Sequence, residues 1–209
     1  VKSVLQEAKN KGIKILAQSM DAPSADVWVS AAEWDMGYVI GVEAGKWIKN
    51  KLGGRAEVLV LSYDRIPQII ARKEGIIAGI KEHAPNAVVV ATQDANTTAL
   101  GMSVTENVLQ AYPGIKVIAA VNDAGALGAL AAVEASGKAT PDFFIGGIDA
   151  TDEAFDKMKR GTVFRATVDI IPYENGMLDI ELMLKLLKGE KLEYQQPVPV
   201  VAVTQDQVK

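Results

Sequence analysis

Five apolar runs of strand length limit what this chain can fold into more than any other feature. They are Ala56–Leu61, Ala87–Ala91, Lys116–Val121, Phe143–Ile148 and Val163–Val168. Apolar residues at helical spacing predict helices between them at Pro67–His83, Ala99–Tyr112, Ala124–Ser136 and Asp152–Met158, with Met36–Leu52 leading in and Tyr173–Leu187 following. Continuous apolar runs suit strands covered on both faces, and strand, helix, strand in short succession gives right-handed parallel crossovers. The expected fold is therefore α/β, a doubly wound parallel sheet. Gly53 after "KNKL" and Gly137 after "EAS" provide the left-handed stops that end two of these helices.

The flanks depart from this repeat. "VKSVLQEAKNKG" reads as the later part of an amphipathic helix closed by Gly12, and Ile13–Ser19 as a buried strand. The stretch around Val27–Val29 is extended, and Pro197 and Pro199 in "GEKLEYQQPVPVVAVTQ" indicate an extended crossing segment at a sheet edge. With 209 residues, 49% of them hydrophobic, the chain can bury one large core or two modest ones. Its net charge of −4 and scattered Lys and Arg offer no basic stripe for a phosphate backbone, so nucleic acid is not an expected partner. No apolar run approaches the roughly 20 residues that span a bilayer, so direct membrane insertion is not expected either. Cysteine is absent, which removes disulfides, zinc thiolates and thiol nucleophiles.

In open parallel sheets ligands bind beyond the carboxyl ends of the strands. The residues following the five runs are Ser62-Tyr63-Asp64, Thr92-Gln93-Asp94 with Asn96 nearby, Asn122-Asp123, Asp149 and Asp169. Helix capping explains such residues as readily as ligand contact does. Asp123, Thr151 and Asp152 stand nearest to expected helix starts and read as caps. A cap needs one residue, however, and "VND" carries two, so Asn122 is expected to point into the crevice. Arg72, in "QIIARKEGIIAGI", is either a solvated surface residue or a fixed fork of donors turned toward the strand ends. Such a fork among carboxylates and an amide suits a neutral polyhydroxyl ligand better than a phosphate. The single histidine, His83, ends a helix, which leaves little material for hydrolytic triads or histidine metal sites. "GVEAGKW" misses the phosphate-loop spacing and "GALGAL" the dinucleotide fingerprint, so neither a cofactor nor catalysis is expected.

Four ordered blocks, "QIIARKEGIIAGI", "LQAYPGIKVIAAVNDAGALGALAAVEASGK", "FFIGGIDAT" and "KLLKGEK", resemble the C-terminal two-thirds of periplasmic sugar-binding proteins of the ribose-binding type. These are the type I solute-binding receptors of ABC importers. The resemblance implies two α/β lobes, joined by three crossing segments, that close on a monosaccharide like a hinge and deliver it to an ABC permease. On this chain the N-terminal lobe would be partial, at 1–30 and 172–194, and the C-terminal lobe complete, at 35–168 and 199–209. The crossing segments would be 31–34, 169–171 and 195–198. Family members carry further residues in front, so the opening reads as truncated, and an incomplete sheet with an apolar edge favours self-association.

Residue by residue, the family's sugar-contacting Arg falls on Arg72, the Asn of its "ND" turn on Asn122, and the Asp of its "G-[FI]-D" strand end on Asp149. Asp21 is the counterpart of an Asp-Arg pair in the first strands. Ile170 replaces the hinge Gln, with Asp169 beside it. Asn96 stands where ribose receptors place a stacking Phe, and Tyr63 or Trp34 would supply a ring. The expected location is the periplasm, or outside the cell on a lipid anchor. The competing reading is the effector-binding core of a lactose-repressor-type transcription regulator, which shares this fold.

Overall fold

The structure, a computed structural model, describes residues 2–22 and 24–208; Val1 and Lys209, at the outer limits of the expected lobes, lie outside the described residues. The chain divides into two compact units: Val1–Ala32 with Ile171–Pro199, and Glu33–Ile170 with Val200–Lys209.

The first unit holds helices α1 (Lys2–Asn10) and α7 (Pro172–Leu187) and strands β1 (Leu16–Gln18), β2 (Val27–Ser30) and β8 (Gln195–Pro197). The strands form a parallel sheet in the order β1-β2-β8. Pro197 therefore lies on an edge strand, where a residue without an N–H is tolerated. Because Gln195–Pro197 is paired with β2 inside this unit, the last passage between units comes after it and not within 195–198. Val27, Val29, Leu182 and Leu186 form the small core.

The second unit contains a six-stranded sheet. Its strands are β3 (Glu57–Ser62), β4 (Val88–Asp94), β5 (Ile115–Ala120), β6 (Phe144–Gly146), β7 (Phe164–Asp169) and β9 (Val201–Thr204), in the order β4-β3-β5-β6-β7-β9. All neighbours are parallel except β7 and β9, which run antiparallel. Helices α2 (Glu33–Lys51) and α3 (Pro67–His83) pack on each other, as do α4 (Thr98–Ala111) and α5 (Asp123–Ala135); α6 (Asp152–Lys159) lies against β7. The doubly wound arrangement and each strand and helix expected from periodicity are present, with ends shifted by a few residues. Gly53 and Gly137 take φ of 67° and 70°, as left-handed stops require.

Packing between α2 and α3 is close because glycines line it. A Cβ on Gly37 would lie 2.7 Å from the Arg72 carbonyl carbon and nearer still to its oxygen. The sequence thus trades the helix preference of alanine for backbone contact, and the contact fixes the height of Arg72 on α3.

Candidate functional site

The strand order reverses at β3, which pairs with β4 on one side and β5 on the other. Ligands in such sheets bind outside the strand ends at that switch point, and Arg72 is anchored there. Its Nε and Nη2 both lie 2.7 Å from Glu33 Oε2, and Nη1 donates to the Val121 carbonyl at 2.7 Å. The side chain is 12% exposed, which rules out the solvated surface reading. These contacts occupy three of its five N–H donors and leave two.

The cap expected at Asp123 is supplied by Asn122, while Asp123 turns inward. Asn122 is the N-cap of α5: its Oδ1 accepts from Gly125 N at 2.9 Å, and its Nδ2 donates to the Asn96 carbonyl at 2.8 Å. Asp123 is the first helical residue and is completely buried. Its Oδ1 accepts from Thr167 Oγ1 at 2.8 Å, and its Oδ2 from Thr151 N and Oγ1 at 2.9 and 3.1 Å. The reason is steric: the carboxylate fills the space that a side chain on Gly147 would occupy, and a Cβ there would also come within 3.0 Å of the Asp123 Cα. Burial pushes the Asp123 carboxyl up to about 6; bonds from Thr151 and Thr167 pull it down, and the charge of Asp149 adds to the rise. Thr151 does cap α6, accepting from Ala154 N, and Asp152 follows as the first helical residue.

Asp149 follows β6 in a left-handed turn, with φ of 119° at Asp149 and 50° at Ala150. Non-glycine residues adopt such angles at a cost, and they concentrate at working corners of proteins. The turn is held by Asp149 N donating to the Val168 carbonyl at 2.9 Å and Ala150 N to Thr167 Oγ1 at 3.1 Å. Although the residue reaches solvent, burial of its carboxyl raises the pKa, with Glu33 adding to the rise; Arg72 and the Asp123 backbone amide oppose it. Arg72, Glu33, Asn122 and Asp149 are thus drawn together at one end of the sheet.

The remaining candidates are distributed differently. Half-buried Tyr63 follows β3, and Asn96 precedes α4 and lends its carbonyl to Asn122. Trp34 stacks on Tyr38 with ring centroids 4.7 Å apart. Asp169 is the last residue of β7, opposite Val201. Asp21 belongs to the first unit, where it accepts from the Tyr194 hydroxyl at 2.5 Å; that bond raises the Tyr194 pKa to about 12. Asp64 accepts from Ser62 Oγ at 2.5 Å and from Lys73, which hold its carboxyl below the usual range, while its amide donates to Asp94 at 2.9 Å. Glu33 went unrecognised in the sequence, since it meets Arg72 from 39 positions away with no spacing signal. Asp123 had a signal in Gly147 of "FFIGGIDAT", which makes room for it. Among the described residues, no group of three or more Asp, Glu or His is placed to hold a metal ion, and no helix is long and apolar enough to cross a membrane.

The model of the periplasmic binding protein domain family matches residues 1–191. The ribose import binding protein of Salmonella typhimurium is 33% identical over 164 residues, covering 78% of this chain and 54% of that protein. The chain spans about half the length of the curated relatives it matches. Among solved structures, an ABC transporter periplasmic solute binding protein from Actinobacillus succinogenes with bound D-allose superposes with a TM-score of 0.87. It is 28% identical, and the match covers 99% of this chain and 75% of that one. A Bacillus halodurans ABC transporter solute binding protein with bound myo-inositol gives a TM-score of 0.82 at 27% identity, covering 99% and 71%. These relatives are binding proteins, not enzymes. With a fold that matches theirs and a family model that matches almost its whole length, the chain belongs to the periplasmic binding protein domain family, of the ribose-binding type.

Proposed function

We propose that this chain serves an extracytoplasmic solute-binding protein that captures a neutral monosaccharide or related polyol and passes it to the membrane subunits of an ABC importer. The observation that carries this reading is the charge balance around Arg72. Glu33 already neutralises the guanidinium, and Asp149 stands near enough to feel its charge. An anionic ligand would meet a site whose positive charge is spent. Two spare guanidinium N–H groups, the remaining valences of the Asn122 amide and the Asp149 carboxylate instead match hydroxyls that both donate and accept. The D-allose and myo-inositol carried by the two structural relatives are ligands of that class. Asp169, Tyr63 and Asn96 would complete the second unit's share of the contacts, and Asp21 would add one from the first. Capture by closure of the two lobes about their crossing segments, in the periplasm or on a lipid anchor, is part of the same proposal. The matched relatives are import proteins and not regulators, which favours this reading over the transcription-regulator core.

Thermal denaturation of this chain with a panel of neutral sugars and polyols tests the proposal. A ligand at a hundred times its dissociation constant adds about 2.7 kcal/mol, or roughly 5–10 °C for a chain of this size. Such a shift with D-ribose, D-allose, myo-inositol or another neutral sugar, lost in Asp149→Ala, is expected. A shift with sugar phosphates or nucleotides and none with neutral sugars would overturn it.

A further inference from the structure

Asp123 and Thr167 lie behind the ligand-facing corner, without being among the residues proposed to touch a sugar. Both are completely buried. Thr167 connects two parts of the site: its hydroxyl donates to Asp123 Oδ1 at 2.8 Å and accepts from Ala150 N at 3.1 Å. The other Asp123 oxygen takes the amide and hydroxyl of Thr151. Every residue from Asp149 to Thr151 therefore has its backbone N–H committed, to the Val168 carbonyl, to Thr167 and to Asp123 in turn. Between these anchors stand two successive non-glycine residues with positive φ, Asp149 and Ala150. A turn strained at two successive residues persists only where its surroundings over-determine it, and a buried carboxylate with charge-assisted bonds is a stiff anchor.

We propose that Asp123, acting through Thr167 and Thr151, is the positioning residue that holds the 149–151 turn in its left-handed form and so aims the Asp149 carboxylate. The inference deepens the sugar-binding reading and rests on it for its effect on affinity. Its effect on the turn does not depend on any ligand.

The test uses Thr167→Val, Thr167→Ser and Asp123→Asn in the whole chain, each alone and in combination with Asp149→Ala. The first readout needs no sugar: the three-bond HN–Hα coupling and carbon shifts of Asp149 and Ala150 report positive φ by nuclear magnetic resonance. The left-handed signature is expected to disappear in Thr167→Val and Asp123→Asn and to remain in Thr167→Ser, which keeps the hydroxyl. The second readout is calorimetric titration with D-ribose, D-allose and myo-inositol. A loss of about tenfold or more is expected in Thr167→Val and Asp123→Asn. Neither should weaken binding further in the Asp149→Ala background, because residues acting through one group do not add. Thr167→Ser should bind as the parent does. Retention of the left-handed turn in folded Asp123→Asn, or losses that add fully to that of Asp149→Ala, would overturn the inference. A parent chain that binds no sugar while Thr167→Val loses the turn would count against the sugar reading and uphold the anchoring.

Discussion

Replacing Gly37 with alanine opposes two well-defined energies and should reveal which governs the support beneath Arg72. An alanine in a helix interior is favoured over glycine by about 1 kcal/mol, so propensity alone predicts a more stable protein. The new Cβ, however, would stand 2.7 Å from the Arg72 carbonyl carbon and 3.0 Å from Ile76 N. Carbon atoms rest at about 3.5–4.0 Å, so α2 and α3 must part by roughly 1 Å over a backbone contact that has no flexible end to bend away. Overpacking of this kind costs about 1–3 kcal/mol, and backbone against backbone belongs at the upper end. The net loss expected is about 1–2 kcal/mol, which lowers the melting temperature by roughly 2–8 °C. The displaced segment is the turn of α3 that carries Arg72, so its bonds to Glu33 and the Val121 carbonyl should loosen as well. Urea unfolding gives the stability, and sugar titration gives the effect on the site. A Gly37→Ala chain as stable as its parent, or more so, would refute the claim that these helices meet at their backbones.

Three further outcomes are expected. Asn122→Ala removes the N-cap of α5 and the tie to the Asn96 carbonyl together, so it should cost about 1–2 kcal/mol by urea unfolding, in addition to any effect on binding; unchanged stability would contradict the capping geometry. Folding lets the Asp123 carboxyl keep its proton to higher pH, with a value of about 6 against 3.8 ordinarily. Between about pH 4 and 6 the folded state therefore holds a proton that the unfolded chain has released, so stability from this group is greatest below pH 4, falls as pH rises to about 6 and is level above, by about 3 kcal/mol in all. The difference in urea stability between parent and Asp123→Asn should follow that course, and a constant difference from pH 4 to 7 would refute it. Tyr173, Met177, Ile180, Leu184 and Leu187 are all more than half exposed and recur on α7 at intervals of four and three, the spacing of one helix face. The chain is expected to self-associate through this stripe, so that sedimentation shows larger species with rising concentration and Ile180→Lys with Leu184→Glu abolishes them; a parent chain that stays monomeric throughout would refute it.

The sheet was legible because its signal is local and repeated. Val117 to Val121 and the four similar runs read as strands, though the run at Ala87–Ala91 forms the partly exposed edge strand β4, and the helices between them carry their own stops. The corner at Asn122 and Asp123 was legible only in part, since both are good caps and the sequence alone offers no way to tell which side chain turns inward. That choice depends on whether a cavity exists for a carboxylate, and the cavity is made 24 positions later by the missing side chain of Gly147 and 44 positions later by the hydroxyl of Thr167. A carboxylate gains more than an amide does from the three donors gathered there, so Asp123 goes in and Asn122 is left at the rim to close the helix. Arg72 shows the same limit. Its position on α3 was readable, but its orientation comes from Glu33 on another helix and from a carbonyl at the end of β5. Residue types at the strand ends thus mark the corner where ligand contact is proposed. The non-local contacts decide which of them are aimed outward and which are spent on doing the aiming.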